Sequence, residues 1–118
     1  MAVGLFEPWR VPIGYFLTRG GLSSEQQSEL VKEALTRLAK SGVQVRAVIF
    51  DGTSANIGTV TLLGASLPDS PNFKHPSTPD ADVQVVLDNC HMLKLARNCF
   101  AKNALMNEFG EPIRFVFC

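Results

Sequence analysis

The stretch VQVRAVIFDG, residues 43–52, decides the fold of this chain of 118 residues. Its apolar residues first alternate with polar ones and then merge into a continuous run, which predicts a strand over 43–50 that is buried on both faces. The Asp51-Gly52 pair that follows is typical of a turn. Asp51 is therefore expected at the carboxyl end of a buried strand, where α/β folds carry their chemistry.

An amphipathic helix and an earlier strand are predicted before this stretch. Ser23 and Ser24 are candidate N-caps, and glutamines follow in capping-box register. Apolar side chains between 30 and 39 fall on one helical stripe, and Gly42 stands where a left-handed residue ends a helix. The run WRVPIGYFLT at 9–18 predicts a strand of edge type, because its proline lacks a backbone donor. Strand, helix and strand joined by short segments indicate an α/β domain.

The same reasoning extends to the carboxyl end of the chain. The predicted elements are, in order, a short helix (53–64), a surface loop rich in Pro, Ser and Asp (66–82), a strand (83–87), a helix from residue 89 or 90 to 107, and an extended tail (110–118). The strand at 83–87 is again followed by an acid, Asp88.

Composition excludes several classes of protein. Apolar residues make up 46% and charged residues 19%, which favours a packed core over disorder. Eleven basic side chains balance eleven acidic ones, so the chain is not a strongly basic protein that coats nucleic acid. No apolar run reaches the roughly 18 residues of a membrane helix, and the amino terminus lacks the pattern of a signal peptide.

The three cysteines, Cys90, Cys99 and Cys118, indicate neither disulfides nor a metal site. Their odd number and the absence of a CxxC pair favour reduced thiols in an intracellular compartment. A zinc site would have to use the adjacent Cys90 and His91, an awkward pair for one tetrahedron.

Two acids that end strands, Asp51 and Asp88, are the first candidate site. Mg²⁺ prefers carboxylate and water ligands, and carboxylates at the ends of neighbouring strands can meet that geometry. The structural alternative is that Asp51-Gly52 forms an ordinary turn and that Asp88 caps the following helix.

The basic side of the last helix is the second candidate site. Lys94, Arg97 and Lys102 are placed to contact DNA phosphates, which a neutral overall charge does not forbid. The alternative is an ordinary solvated helix face. His91 is interpreted as a packed or capping residue rather than a general base.

Several stretches, taken together, carry a resemblance to a known family. They are WRVPIGYF (9–16), AVIFDG (47–52) with Asn56 and Leu63-Gly64, FKHP (73–76) and DNCHMLKLARN (88–98). Their order and spacing, from Trp9 to about Asn107, resemble the P element transposase family, which includes vertebrate transposases with a THAP zinc-binding domain. The last stretch is the most specific.

The resemblance implies an RNase H-like domain. In that fold an aspartate on the first strand, an aspartate after the fourth strand and an acid on a late helix hold two Mg²⁺ ions for DNA cleavage and strand transfer. Residues 43–50 match the fourth strand, so Asp51 matches the second catalytic aspartate and is the catalytic and metal-binding candidate. Asp88, a further metal candidate, begins the segment that leads towards the family's GTP-binding insertion.

The resemblance also implies missing parts. The fold class expected is α/β, an incomplete RNase H-like fold of order β-α-β, short helix, β-α, without the first two strands. We expect a partial domain over 1–107, with the junction towards the GTP-binding insertion near 88–107, and a divergent tail over 108–118. No GTP site, late-helix acid or THAP zinc finger is expected in this chain. Loss of the first two strands would leave an open edge on strand 43–50.

The function expected is that of a fragment of a P element-type DNA transposase. The parent would bind DNA in the nucleus, form homo-oligomers and require Mg²⁺, whereas the isolated chain is expected to be inactive because one carboxylate cannot hold two Mg²⁺ ions. The alternative is a domesticated, non-catalytic module that binds DNA through the basic helix or a protein through the exposed strand. An unrelated α/β enzyme using Asp51 is not favoured, because no second catalytic group is identifiable.

Overall fold

The computed structural model of the chain describes residues 1–103 and 105–113. The elements within these residues are, in order, β1 (Ala2–Val3), β2 (Arg10–Val11), α1 (Ser24–Lys40), β3 (Ala47–Phe50), α2 (Ser54–Leu63), β4 (Asn72–His75), β5 (Thr78–Leu87), α3 (Asn89–Lys102), β6 (Leu105–Met106) and β7 (Pro112–Ile113). The α/β class is therefore confirmed.

Helix α1 begins and ends where its sequence predicts. The hydroxyl of Ser23 accepts a hydrogen bond from the Gln26 backbone N–H at 3.3 Å, and the Gln26 side chain accepts one from the Ser23 N–H at 3.1 Å. This reciprocal capping box satisfies two donors that a helix start leaves unpaired. Gly42 adopts a left-handed φ of 81° just beyond the helix, which glycine does without steric cost.

The central sheet has three strands in the order β3-β5-β4. Strands β3 and β5 are parallel, with Phe50 opposite Leu87, whereas β4 and β5 form an antiparallel hairpin. Helix α2 lies in the crossover between the two parallel strands, as parallel pairing requires. The strand-helix-strand unit of this fold is thus built around α2.

The core lies between one face of this sheet and helices α1 and α2. Its buried apolar side chains are Leu35, Val60, Ala65, Phe73, Val83 and Val85. The other face of the sheet is open, since Ile49 is 68% and Val86 42% exposed. The prediction of a strand buried on both faces over 43–50 is therefore wrong: the strand spans only Ala47–Phe50, and Ile49 within it points to solvent.

The strand predicted at 9–18 is also wrong for most of its length. Only Arg10–Val11 is a strand, and it pairs with Ala2–Val3 rather than with the central sheet. Tyr15 and Leu17, further along the predicted strand, are 86% and 94% exposed. Strand propensity depends on a neighbouring strand to pack against, and the described residues supply none for 12–18.

The surface loop predicted at 66–82 contains a hairpin instead. Strand β4 and the first half of β5 lie within it, and β5 begins at Thr78 rather than at residue 83. Phe73 and His75 point into the core at 4% exposure each, while Lys74 on the opposite face forms an ion pair of 2.9 Å with Asp82. This alternation is the signature of a strand, and the prolines, serines and aspartates around it obscured the signature.

The last helix ends five residues before the predicted position, at Lys102 rather than Asn107. Asn107 instead organises a turn, because its side-chain oxygen accepts hydrogen bonds from the backbone N–H groups of Phe109 and Glu111 at 3.0 and 2.9 Å. Strands β6 and β7 pair across this turn, and residues 114–118 of the predicted tail lie outside the described residues. The division at 107/108 remains a prediction.

Candidate functional site

The two strand-terminal acids lie side by side, as their positions in the sequence predict. Asp51 follows Phe50 and Asp88 follows Leu87, and these two preceding residues are partners in the parallel ladder of β3 and β5. The backbone N–H of Asp88 extends the ladder by donating to the Phe50 carbonyl at 2.8 Å. Both acids therefore stand at the carboxyl edge of the sheet, the usual place for a site in an open α/β sheet.

The Asp51 carboxylate is held by the start of α2. Its Oδ1 accepts hydrogen bonds from the Thr53 hydroxyl at 2.9 Å, from the Thr53 backbone N–H at 3.3 Å and from the Asn56 side-chain amide. Four groups lower the pKa of Asp51: the Thr53 hydroxyl, the Thr53 N–H, the Asn56 amide and the nearby His91. Together they outweigh the desolvation of the carboxylate, which raises the pKa. The carboxylate is thus kept ionised at neutral pH.

Asp88 is the N-cap of α3. Its Oδ1 accepts a hydrogen bond from the Cys90 backbone N–H at 3.0 Å, and its carbonyl oxygen accepts one from the Met92 N–H at 2.9 Å. This is the capping arrangement that was the structural alternative for Asp88, and it also places the carboxylate favourably at the helix N-terminus. A metal role for Asp88 remains a prediction.

The first turns of α3 cover the Asp51-Gly52 turn. A Cβ at position 52 would lie 2.8 Å from Sδ of Met92 and 3.3 Å from a Leu95 methyl, so glycine permits this close approach. None of the α3 residues that the structure describes is buried, and Met92 and Leu95 are themselves partly exposed. The surroundings of Asp51 therefore come from α2 on one side and from α3 on the other.

The hydrogen-bond partners of Asp51 were missed by reasoning on sequence. In the sequence, Asn56 belongs to the stretches that resemble the transposase family, and Thr53 begins a predicted helix; neither pattern identifies a partner for Asp51. The signal was the spacing D-G-T-x-x-N, which places an amide on the first turn of the helix after a strand-terminal acid. Among the described residues no three His, Cys, Asp or Glu side chains cluster as metal ligands.

The basic residues of α3 lie on its surface. Lys94, Arg97 and Lys102 are exposed, and within residues 1–103 and 105–113 none of them forms an ion pair with a carboxylate. The Arg97 guanidinium donates to the Asn98 side chain at 3.2 Å. These cations are available to an anionic partner, although their role in binding DNA remains a prediction.

Two further predictions from the sequence concern cysteines and membranes. Cys90 and Cys99 are exposed free thiols, and Cys118 lies outside the described residues. Across the described part of the chain, none of the helices is both long enough and apolar enough to cross a lipid bilayer.

Comparisons with known proteins connect this geometry to a family. A family model described as TNP-like, RNase H N-terminal domain matches residues 1–64. The human DNA transposase THAP9 is 34% identical over 103 residues, which cover 85% of this chain and 11% of that protein. A chain in the Drosophila P element transposase strand transfer complex is 27% identical, with a TM-score of 0.62 over 72% of this chain and 19% of that chain.

The two relatives are both transposases, and this chain spans only a small part of each. The expected resemblance to the P element and THAP transposases is confirmed, and the small α/β fold matches part of the P element transposase. The chain belongs to the family of TNP-like RNase H N-terminal domains and is homologous to the P element and THAP9 transposases.

Proposed function

We propose that this chain forms part of the RNase H-like catalytic domain of a P element-type DNA transposase, and that Asp51 supplies one of the carboxylates of its metal site. The observation that carries the proposal is the position of Asp51: an ionised carboxylate at the carboxyl end of β3, next to Asp88 at the end of the parallel strand β5. Membership of a transposase family supports the proposal.

The residues present fit Mg²⁺ in type but not in number. Carboxylate oxygens are ligands that Mg²⁺ prefers, and the ion is usually held by one or two carboxylates with several waters. Held by these carboxylates, Mg²⁺ would supply stabilisation of the charge that develops on a phosphate during DNA cleavage. Two carboxylates, one of them capping a helix, fit a weak single-ion site and not the pair of ions expected for strand transfer.

The chain by itself is therefore proposed to be inactive on DNA. Among the described residues no group of three or more His, Cys, Asp or Glu side chains is placed to hold a metal, and two-metal catalysis requires several acids to clamp both ions. Several further properties are proposed for the whole transposase and not for these residues. They are DNA cleavage, strand transfer, the assembly of several copies, nuclear location and a GTP-binding insertion. Their support is the relationship to the P element and THAP9 transposases.

A chimera tests the proposed function. The 103 residues of human THAP9 that align with this chain are replaced by the corresponding residues of this chain, and transposon excision is measured in cells. We expect excision to be retained in the chimera and abolished by Asp51→Asn. The matched control is Asp80→Asn, which removes an exposed carboxylate near the start of β5, at the opposite end of that strand from Asp88. Equal excision by the parent chimera and its Asp51→Asn variant would contradict the proposal.

A second candidate function is a non-catalytic DNA-binding module. It is favoured by the exposed cations of α3, since Lys94, Arg97 and Lys102 are not neutralised by carboxylates in the described part of the chain. Phosphate contacts by such side chains give binding that is independent of sequence and weakens with salt. DNA binding by the isolated chain, without cleavage, is the result that separates this function from an inert domain.

A further inference from the structure

We propose that Thr53 and Asn56 are positioning residues that commit Oδ1 of Asp51 to the protein and reserve Oδ2 for a divalent cation. Asp51 would then bind the cation through one oxygen only. The inference rests on the proposed function, because it assumes that Asp51 is a metal ligand, and it adds which atom binds and which residues aim it.

The first step is the occupancy of Oδ1. Three donors converge on this atom: the Thr53 hydroxyl at 2.9 Å, the Thr53 N–H at 3.3 Å and the Asn56 amide. An ionised carboxylate offers about four lone-pair sites, or about two on each oxygen. Three donors therefore exceed the lone-pair sites of Oδ1. Chelation of a cation by both oxygens would have to displace at least one of these bonds.

The second step is the availability of Oδ2. Among residues 1–103 and 105–113, this oxygen accepts no hydrogen bond from the protein. Asp51 as a whole is only half-buried, so Oδ2, which has no donor from the described residues, is the oxygen left for water or a hydrated ion. The two oxygens of one carboxylate thus differ: one is anchored, and the other is open.

The third step separates the two positioning residues. Thr53 lies two residues from Asp51, and its bonds are those of a local turn that orients the carboxylate relative to its own loop. Asn56 lies on the first turn of α2 and ties the carboxylate to a packed helix. That helix is itself fixed to α1, because the Thr59 hydroxyl donates to the Gln27 side chain at 2.7 Å. Asn56 therefore fixes the orientation of the Asp51 carboxylate relative to the packed helices, as hydrogen-bond partners of metal ligands commonly do.

The test is Mn²⁺ binding to the intact chain of 118 residues, followed by paramagnetic broadening of backbone NMR signals. The wild-type chain is compared with Asn56→Leu, which keeps nearly the same volume but has no donor. Asn56→Ala is the second variant, and Ser54→Ala, an exposed change on the same turn, is the matched control. Unperturbed signals from the core residues establish that each variant is folded.

We expect Mn²⁺ to broaden the signals of Gly52 and Thr53 in the wild type and in the Ser54 control. In both Asn56 variants the apparent Kd should rise by about 10-fold, the lower end of what loss of a group behind a metal ligand costs. Unchanged affinity in the Asn56 variants would overturn the positioning role but leave Asp51 as a ligand. Absence of broadening near Asp51 in the wild type, or its persistence in Asp51→Asn, would overturn both the ligand and the positioning role.

Discussion

Gly58 of α2 lies directly against Ser24 of α1. A Cβ at position 58 would come within 2.5 Å of the Ser24 hydroxyl oxygen and 3.2 Å of its Cβ. The hydroxyl cannot turn away freely, because it donates to the Ala55 carbonyl at 2.9 Å. Close approach of the two helices therefore explains a glycine inside a helix, where it would otherwise be destabilising.

Gly58→Ala is expected to lower the free energy of unfolding. Overpacking typically costs about 1–3 kcal/mol, which exceeds the gain of about 1 kcal/mol that alanine brings to an exposed helix position. Urea denaturation followed by circular dichroism measures the difference, with Ser54→Ala on the exposed side of α2 as control. An increase in stability for Gly58→Ala would show that the helices do not approach as closely as described.

His75→Ala is expected to destabilise the chain strongly. His75 is 4% exposed, and its Nδ1 accepts a hydrogen bond from the Ser77 N–H at 3.1 Å at the tip of the β4–β5 hairpin. Loss of the buried ring and of this bond should cost about 2–4 kcal/mol. The control is the neighbouring Lys74→Ala, which loses only an exposed ion pair worth less than about 1 kcal/mol. Similar thermal midpoints for the two variants would contradict the assignment.

The sequence alone predicts the ends of helices correctly where local signals agree with packing. The capping box at Ser23 and the left-handed glycines at 42 and 64 mark the ends of α1 and α2 correctly. Such signals depend on a few neighbouring residues, so no knowledge of the rest of the fold is required. The acid after β3 was also placed correctly at the sheet edge, since parallel strands bring their carboxyl ends together.

The errors arise where long-range pairing decides the structure. The run at 9–18 is rich in strand-forming residues, but only Arg10–Val11 pairs, and residues 12–18 meet no partner strand among the described residues. The stretch around 72–82 pairs because Phe73 and Val83 are buried together. The bonds from Thr53 and Asn56 to Asp51 depend on the exact direction in which α2 leaves the turn. Propensity and spacing carry little information about any of these.

Gly52→Ala is expected to loosen α3 from the sheet with little loss of global stability. The new methyl group would clash with Sδ of Met92 at 2.8 Å, but that side chain is flexible, and no residue of α3 is buried in the described part of the chain. Amide hydrogen exchange should accelerate in the first turns of α3 and stay unchanged in β5. Combining Gly52→Ala with Met92→Ala should restore protection, and failure to do so would argue against this contact.

Asp51 is expected to make stability depend on pH in the acid range. The pKa of Asp51 is lowered in the folded chain, most strongly by the Thr53 hydroxyl and next by the Thr53 N–H. The contribution of Asp51 to the free energy of unfolding is therefore complete above the ordinary aspartate pKa of about 4. The contribution is lost as the pH falls through the lower, folded pKa. The difference in thermal midpoint between wild type and Asp51→Asn should therefore be greatest at pH 5–7 and shrink below about pH 4. A constant difference across this range would show that the carboxylate is not held by these donors.

Charge reversal on α3 tests the DNA-binding surface. Lys94→Glu combined with Arg97→Glu should abolish binding of a short DNA duplex. Lys94→Ala combined with Arg97→Ala should only weaken binding. The alanine pair should also reduce the slope of log K against log salt by about 2, close to one unit for each phosphate contact removed. Lys40→Glu with Arg46→Glu changes the net charge equally on exposed sites outside α3, and it should leave most of the affinity intact. Fluorescence anisotropy at several salt concentrations measures both quantities. Equal losses in the two double reversals would mean that net charge, and not the face of α3, governs binding.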